Sequence, residues 1–352
     1  MSVASAQAVN AKCRAMYSKL LGRADYDALL AMRSVPQIAE YLKKETPYAY
    51  VLRRLGENEA HRGQLEQLFK KSLYYDYEKL LLFSTGDYKA GIQAMFESYE
   101  IDDLKLVIGS ICSDHESYLS PDDLTYVRHY SEFGAAGLLE CGTMEELAEF
   151  LKGTRYYRAL KPFAVRERPD FLKIDSALNQ LDYAAKMGAF RDKLGPASSK
   201  LAVSLYGEES DIGNILFIYR AKKLYRLPVA DMLVSLVPSA RLSNRELLAL
   251  AESRSLQELI ALAAKSCYGH LFPAGREREW ESVHEEHFYA IHRRNLRAHG
   301  NDIGVAMAYF FLKRMDIKNI ITIIEGVRYA LPTRDIAAFL IGYGARAAAA
   351  AG

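Results

Sequence analysis

The amino-acid sequence predicts an all-α protein built from three similar helical domains. One five-residue pattern occurs three times at near-even spacing, a helix-capping pattern recurs upstream of each copy, and the apolar residues between these anchors follow a helical period. The first pattern is an acidic residue, Ile, any residue, Asp or Asn, then Leu or Ile. It reads Glu100-Ile101-Asp102-Asp103-Leu104, Asp211-Ile212-Gly213-Asn214-Ile215 and Asp316-Ile317-Lys318-Asn319-Ile320. The copies are 111 and 105 residues apart (100 to 211, 211 to 316) in a chain of 352. Repetition at a fixed period marks a structural unit used more than once. The expected division is residues 1–132, 133–242 and 243–352, the last ending in an alanine-rich tail, Ala347 to Ala351.

The second anchor is Ser/Thr-x-x-Glu/Gln-apolar: Ser34 to Ile38 with Gln37, Thr143 to Leu147 with Glu146, and Ser255 to Leu259 with Glu258. This is the form of a capping box, in which the hydroxyl accepts from a free N–H of the first helical turn and the Glu or Gln reaches back to the N-cap N–H. A leucine stands five positions before each box, at Leu29, Leu138 and Leu250. Tyrosines follow at Tyr48, Tyr157 and Tyr268, then leucines at Leu52, Leu160 and Leu271. Box-to-signature distances of 66, 68 and 61 residues (34 to 100, 143 to 211, 255 to 316) place both anchors in one repeating unit. A proline follows each signature, at Pro121, Pro228 and Pro332, where a long helix should end and a short one begin.

Between the anchors, Leu65, Leu68, Phe69, Ser72 and Leu73 follow the i, i+3, i+4, i+7, i+8 spacing of a helix face, continued by Tyr77, Leu80 and Leu81. Ile320, Ile323, Ile324 and Val327 repeat it in the third unit. Gly195-Pro196, Pro273 to Gly275 and Gly300 mark breaks between helices. Strand alternation is nowhere sustained. A unit of about 110 residues exceeds the 34-to-47-residue helical solenoid repeats, so each copy should hold a core of its own.

A polar residue inside each apolar signature needs a partner once it is buried. The expected role of Glu100, Ile101, Asp103, Asp211, Ile212, Asn214, Asp316, Ile317 and Asn319 is structural, with the apolar members packing inward and the polar ones bonding a neighbouring segment. A threefold cation site is the alternative, and Asn in place of the acid at 214 and 319 weakens it.

Composition limits the function. With 46 basic and 44 acidic residues the net charge is +2, which gives no support to nucleic-acid binding. Cys13, Cys112, Cys141 and Cys267 are scattered, with no metal or disulfide spacing, and suit a reducing cytoplasm. The first ten residues show no secretory signal, and no stretch approaches the 18 apolar residues of a membrane span. His284, His287 and His292 fall on one expected helix with His299 near its end, but the spacing is not HExxH, and the adjacent Glu281, Glu285, Arg293 and Arg294 point to a solvated face. No phosphate loop, dinucleotide fingerprint or nucleophile elbow is present. No catalytic, cofactor-binding or metal-ligating residue is therefore assigned, and no cofactor is expected.

At these residues the chain resembles the C subunit of archaeal-type and bacterial V-type rotary ATPases, the counterpart of the d subunit of eukaryotic V-ATPases. The segment from Ala308 through Met315-Asp316-Ile317-Lys318-Asn319-Ile320 to Leu331-Pro332, together with Tyr41-Leu42, Thr46, Tyr48 and Tyr99 to Lys105, carries the resemblance. It implies a funnel of three helical domains in pseudo-threefold arrangement. It also implies a non-catalytic central-stalk adaptor at the cytoplasmic face of the membrane. Its partners would be the membrane rotor proteolipid ring and the central shaft subunits, and it would transmit torque in ATP-coupled proton or sodium transport. A stand-alone helical scaffold for soluble partners, and an enzyme using His284, His287 and His292, are the competing readings. Loops near Tyr48 to Leu52, Tyr156 to Leu160 and Tyr268 to Phe272 are the candidate contact points that symmetry offers.

Overall fold

In the computed structural model the capping and periodicity signals become helices, and no strand forms among the described residues. The structure describes residues 3–53, 62–113, 119–165, 170–298, 300 and 302–344. His299 and the tail Ala347 to Ala351 lie outside them. In chain order come α1 (Val3–Tyr17), α2 (Arg23–Ala31), α3 (Val35–Glu45), α4 (Ala49–Leu52), α5 (Arg62–Phe83) and α6 (Gly86–Phe96). The middle carries α7 (Ser98–Cys112), α8 (Thr125–Tyr130), α9 (Ala135–Leu139), α10 (Met144–Phe150), α11 (Tyr157–Leu160), α12 (Phe171–Asp192), α13 (Pro196–Arg220), α14 (Val229–Ser235), α15 (Asn244–Glu252) and α16 (Leu256–Lys265). The last segment holds α17 (Trp280–Arg297), α18 (Gly304–Arg328) and α19 (Thr333–Ala338).

The chain forms two compact units: one from both chain ends, Met1–Ile92 with Arg278–Gly352, and one from the middle, Gln93–Glu277. In the first, α18 packs against α1, α2, α3, α5, α17 and α19. Its sequence is apolar on nearly every side, as a helix surrounded by others must be, and Tyr309, Ile320, Ile323 and Ile324 are at most 1% exposed. The stripe read on α5 faces this helix, with Leu65, Phe69, Leu73, Tyr77 and Leu80 buried. At the end of α18, Gly326 allows close approach, because a Cβ there would stand 2.4 Å from Ile336 of α19.

In the middle unit α12 and α13 pair lengthwise across the Gly195-Pro196 break. Gly195 is the N-cap of α13 and Pro196 its first residue, where the missing N–H costs nothing. Helix α7 packs on α12 and α8, and its Ile101, Leu104, Val107 and Ile108 join Leu138, Leu147, Leu160 and Leu178 in one core.

The three capping sites differ in detail. Thr143 and Glu146 bond reciprocally, through Glu146 N–H to Oγ1 at 3.2 Å and Thr143 N–H to Oε2 at 3.1 Å. Ser255 accepts from Glu258 N–H at 3.1 Å, and Ser34 from Gln37 N–H at a weak 3.4 Å. Glu258 and Gln37 reach one residue further back, accepting from Arg254 and Arg33 N–H. A fourth, fully reciprocal box, Ser243 with Glu246, starts α15 and has the same sequence form.

Helix α17 departs from the expected solvated face. Glu281 and Arg294 are exposed, but Glu286 and His292 are buried. Glu286 accepts from Gly342 N–H at 2.8 Å, and the His292 ring stacks on Phe311 at 4.4 Å. Formal charge is a poor guide here because the helix turns His292 onto Phe311 of α18 and Glu286 toward the Gly342 backbone.

Candidate functional site: three carboxylate–tyrosine junctions

Each signature places its acidic residue and its Asp or Asn three positions apart, so both project from one face of a helix. The acidic residue then meets a tyrosine, and the Asp or Asn meets the backbone of a segment 22 to 24 residues downstream.

At the first junction Glu100 of α7 accepts from the hydroxyls of Tyr156 and Ser131, and Arg155 lies 3.3 Å away. Asp103 accepts from the N–H groups of Tyr126 and Val127 at 2.8 and 2.9 Å, capping the first turn of α8. At the second, Asp211 of α13 accepts from Ala240, Arg241 and Leu242 N–H at 2.9, 2.7 and 3.3 Å, from Tyr268 at 2.9 Å, and from Ser239. Asn214 donates to Val237 C=O at 2.9 Å and accepts from Val237 N–H at 3.2 Å.

At the third, Asp316 of α18 accepts from Tyr48 at 2.7 Å, from Tyr26, and from Leu21 N–H at 3.4 Å. Asn319 holds Ile341 by both backbone groups, at 2.9 and 2.8 Å. Burial raises the Asp316 carboxyl above the ordinary carboxylate range, although the two tyrosine hydroxyls and Lys313 oppose the shift. Lys313 stands 4.2 Å over the Tyr48 ring and 3.5 Å from Asp76, which also accepts from Tyr309.

Asp and Asn alternate for a reason this geometry supplies. A carboxylate only accepts, so it suits the two N–H groups facing position 103. A carboxamide donates and accepts, so it suits a single residue offering N–H and C=O at positions 214 and 319. Ile101, Ile212 and Ile317, the apolar members, are buried.

The tyrosine of each junction belongs to the next capping unit along the chain. Glu100 takes Tyr156, which follows the Thr143 box, and Asp211 takes Tyr268, which follows the Ser255 box. Asp316 returns to Tyr48, which follows the Ser34 box near the chain start. The recurring tyrosine in the middle copy is thus Tyr156, buried, while Tyr157 beside it is half-buried. Tyr48, Tyr156, Tyr268, Leu52, Leu160, Leu271 and Phe272 are all at most 4% exposed and pack inward, while in the same segments Tyr50 and Tyr157 are half-buried and Arg158 and His270 are exposed. Sequence reading missed Tyr26, Ser131 and Ser239, whose pairing with the acids depends on chain contacts that no local spacing reveals.

Among the described residues no group of three His, Cys, Asp or Glu side chains is placed to hold a metal ion. His284 and His287 instead set their rings edge-on to Phe288, at 5.0 and 5.3 Å. No described helix is long and apolar enough to cross a membrane.

An all-helical set of described residues in which three recurring signatures bond neighbouring segments of the same chain defines the class: a helical subunit whose repeated chemistry is internal bonding. The chain belongs to the ATP synthase (C/AC39) subunit family, whose model matches residues 9–339. It is similar to the A-type ATP synthase C subunit of Archaeoglobus fulgidus, at 23% identity over 331 residues, 93% of either chain. The protein of the same description from Methanosphaera stadtmanae is 22% identical over 347 residues, 94% of this chain and 86% of that one. That from Methanosarcina mazei is 27% identical over 218 residues, 60% of this chain, and the match spans only 57% of the relative's length.

Proposed function

We propose that this chain is a non-catalytic adaptor in the central stalk of a rotary A/V-type ATPase, joining the central shaft to the membrane proteolipid ring. In that role it passes torque during ATP-coupled proton or sodium transport, peripherally, at the cytoplasmic face. The observation that carries the reading is the family match along residues 9–339. The fold is compatible with it. Three modules of similar build, read in sequence as 1–132, 133–242 and 243–352 and arranged about a pseudo-threefold axis, would encircle a shaft. Charged and hydroxyl groups locked in the interior would make them stiff. Glu100, Asp103, Asp211, Asn214, Asp316 and Asn319 act as fasteners in this account, and Ser34, Thr143 and Ser255 as helix starts. None is assigned to chemistry on a substrate.

The test is affinity purification of the tagged chain from solubilised native membranes. Recovery of the proteolipid ring with the shaft proteins is expected; a partner set containing neither sinks the proposal. The purified chain alone should hydrolyse no ATP.

A further inference from the structure

A charge buried in a protein is normally answered by an opposite charge or by several N–H donors. Glu100 has Arg155 at 3.3 Å, and Asp211 has three backbone N–H groups. Asp316 has neither. It is 4% exposed and accepts from two tyrosine hydroxyls and a single N–H at 3.4 Å. Among the described residues it forms no ion pair, because Lys313, whose charge reaches it, pairs with Asp76 at 3.5 Å. A carboxylate has about four acceptor sites, so these three bonds leave one open, on Oδ1.

The same carboxylate lines a cavity of about 210 Å³ within the unit formed by both chain ends. That is below the roughly 300–1,000 Å³ of sites for drug-sized molecules, so the ligand it suits is small. Tyr17, Ser18, Tyr26, Tyr289 and Asn319 bring polar groups to its wall, and Leu20, Leu21 and Leu312 an apolar side. Ser18 and Gly22, also in the wall, are exposed and give access from solvent. The Tyr17 and Tyr289 hydroxyls have no hydrogen-bond partner among the described residues, so their oxygens can accept from a ligand.

Charge sets the ligand's sign. Helix α1 ends at Tyr17, and the C-terminal end of a helix favours cations. Asp316 is the only carboxyl in the wall among the described residues, and burial pushes Tyr289 up to about 12, which keeps its proton on. Glu286 and Arg293 act on Tyr289 with opposite signs, and neither lines the cavity. A single positive charge therefore matches the site, and it would favour the ionised carboxylate that burial disfavours. We infer that this cavity binds a short primary alkylammonium ion, with the ammonium on Asp316 and the carbon chain along Leu20, Leu21 and Leu312. A primary ammonium has three N–H donors, as many as the open acceptors on Asp316, Tyr17 and Tyr289.

The experiment titrates the purified full-length chain with n-butylammonium chloride at constant ionic strength, read by calorimetry. One ligand per chain is expected to bind, and n-butanol or potassium chloride at least about tenfold more weakly. Tyr17→Phe/Tyr289→Phe should weaken binding about tenfold. Its melting temperature should be unchanged, since neither hydroxyl bonds another described residue. Asp316→Asn, which can accept from Tyr48 and donate to the Tyr26 oxygen, should lower affinity at least about a hundredfold. Ser18→Trp covers the exposed rim without touching the carboxylate. It should lower affinity similarly, and it keeps the test decisive if the Asp316 variant does not fold. Leu82→Ala, at a site 85% exposed on α5, serves as the control and should bind as wild type. No saturable binding, equal binding of potassium, or full affinity in Asp316→Asn or Ser18→Trp would each overturn the assignment. None of these results bears on the adaptor role, which does not depend on this cavity.

Discussion

At the scale of single residues, the choice between Asp and Asn in the signature is set by what faces it. Asn319→Asp would turn an acceptor toward the Ile341 carbonyl and leave that buried oxygen without its donor. We expect a loss of about 2–4 kcal/mol in denaturant unfolding. Tyr126 and Val127 N–H both donate to Asp103 Oδ2, so Asp103→Asn can keep both bonds through its carbonyl oxygen and should cost less, about 1 kcal/mol. Equal costs would contradict the pairing described here. His292 supplies a pH test. Burial against Phe311, with Arg314 adding repulsion, lowers its pKa from the ordinary 6.5 to about 3. Between those values the unfolded chain takes up a proton that the folded chain refuses, so stability falls as pH drops from about 6.5 toward 3. The slope approaches about 1.4 kcal/mol per pH unit. His292→Phe keeps the stacked ring and should remove this part of the slope, leaving stability near pH 7 little changed. A variant with the wild-type acid slope would show that another group carries it.

At the scale of elements, the starts of α3, α10 and α16 are legible because capping is local: donor, acceptor and spacing all lie within four residues. Thr143, with both reciprocal bonds near 3.2 Å, should lose about 1 kcal/mol on substitution by Ala. Ser34, whose bond is 3.4 Å, should lose less, and thermal unfolding of the two variants checks the order. The box at Ser243 has an equally readable form, but a search for repeats does not find it, because the other two copies hold no counterpart. In the first copy, the equivalent place twelve residues before the box is Gly22, whose N–H is accepted by Asp25. Periodicity fixes the inward face of α5 and α18 but not that of α17. Charge there outvotes packing in any local reading, and the burial of Glu286 and His292 depends on where Gly342 and Phe311 arrive.

For the whole molecule, the triplicated pattern is visible in sequence while the pairing across it is not. The spacing of box and signature groups them by order along the chain. The hydrogen bonds instead join each signature to the box that comes next, and the last signature to the first box, with Asp316 and Tyr48 268 residues apart. No pattern within a unit records that long step. Hydrogen exchange should expose it. Asp316→Ala is expected to raise exchange over residues 21–52 as well as 304–344, while the middle unit, Gln93–Glu277, keeps its protection. Asp211→Ala should do the reverse, loosening only the middle unit. Uniform loosening by either variant would mean that these junctions do not set unit-level stability.

The bond from Asp316 back to Tyr48 also orders events during synthesis. At about 5–20 residues per second, the ribosome needs roughly 15–50 seconds between making the tyrosine and making its acceptor. Tyr26, Tyr48 and the helices that carry them wait through that interval without the partner that settles them. Tyr26 and Tyr48 can therefore reach their shared acceptor only after α18 has been made.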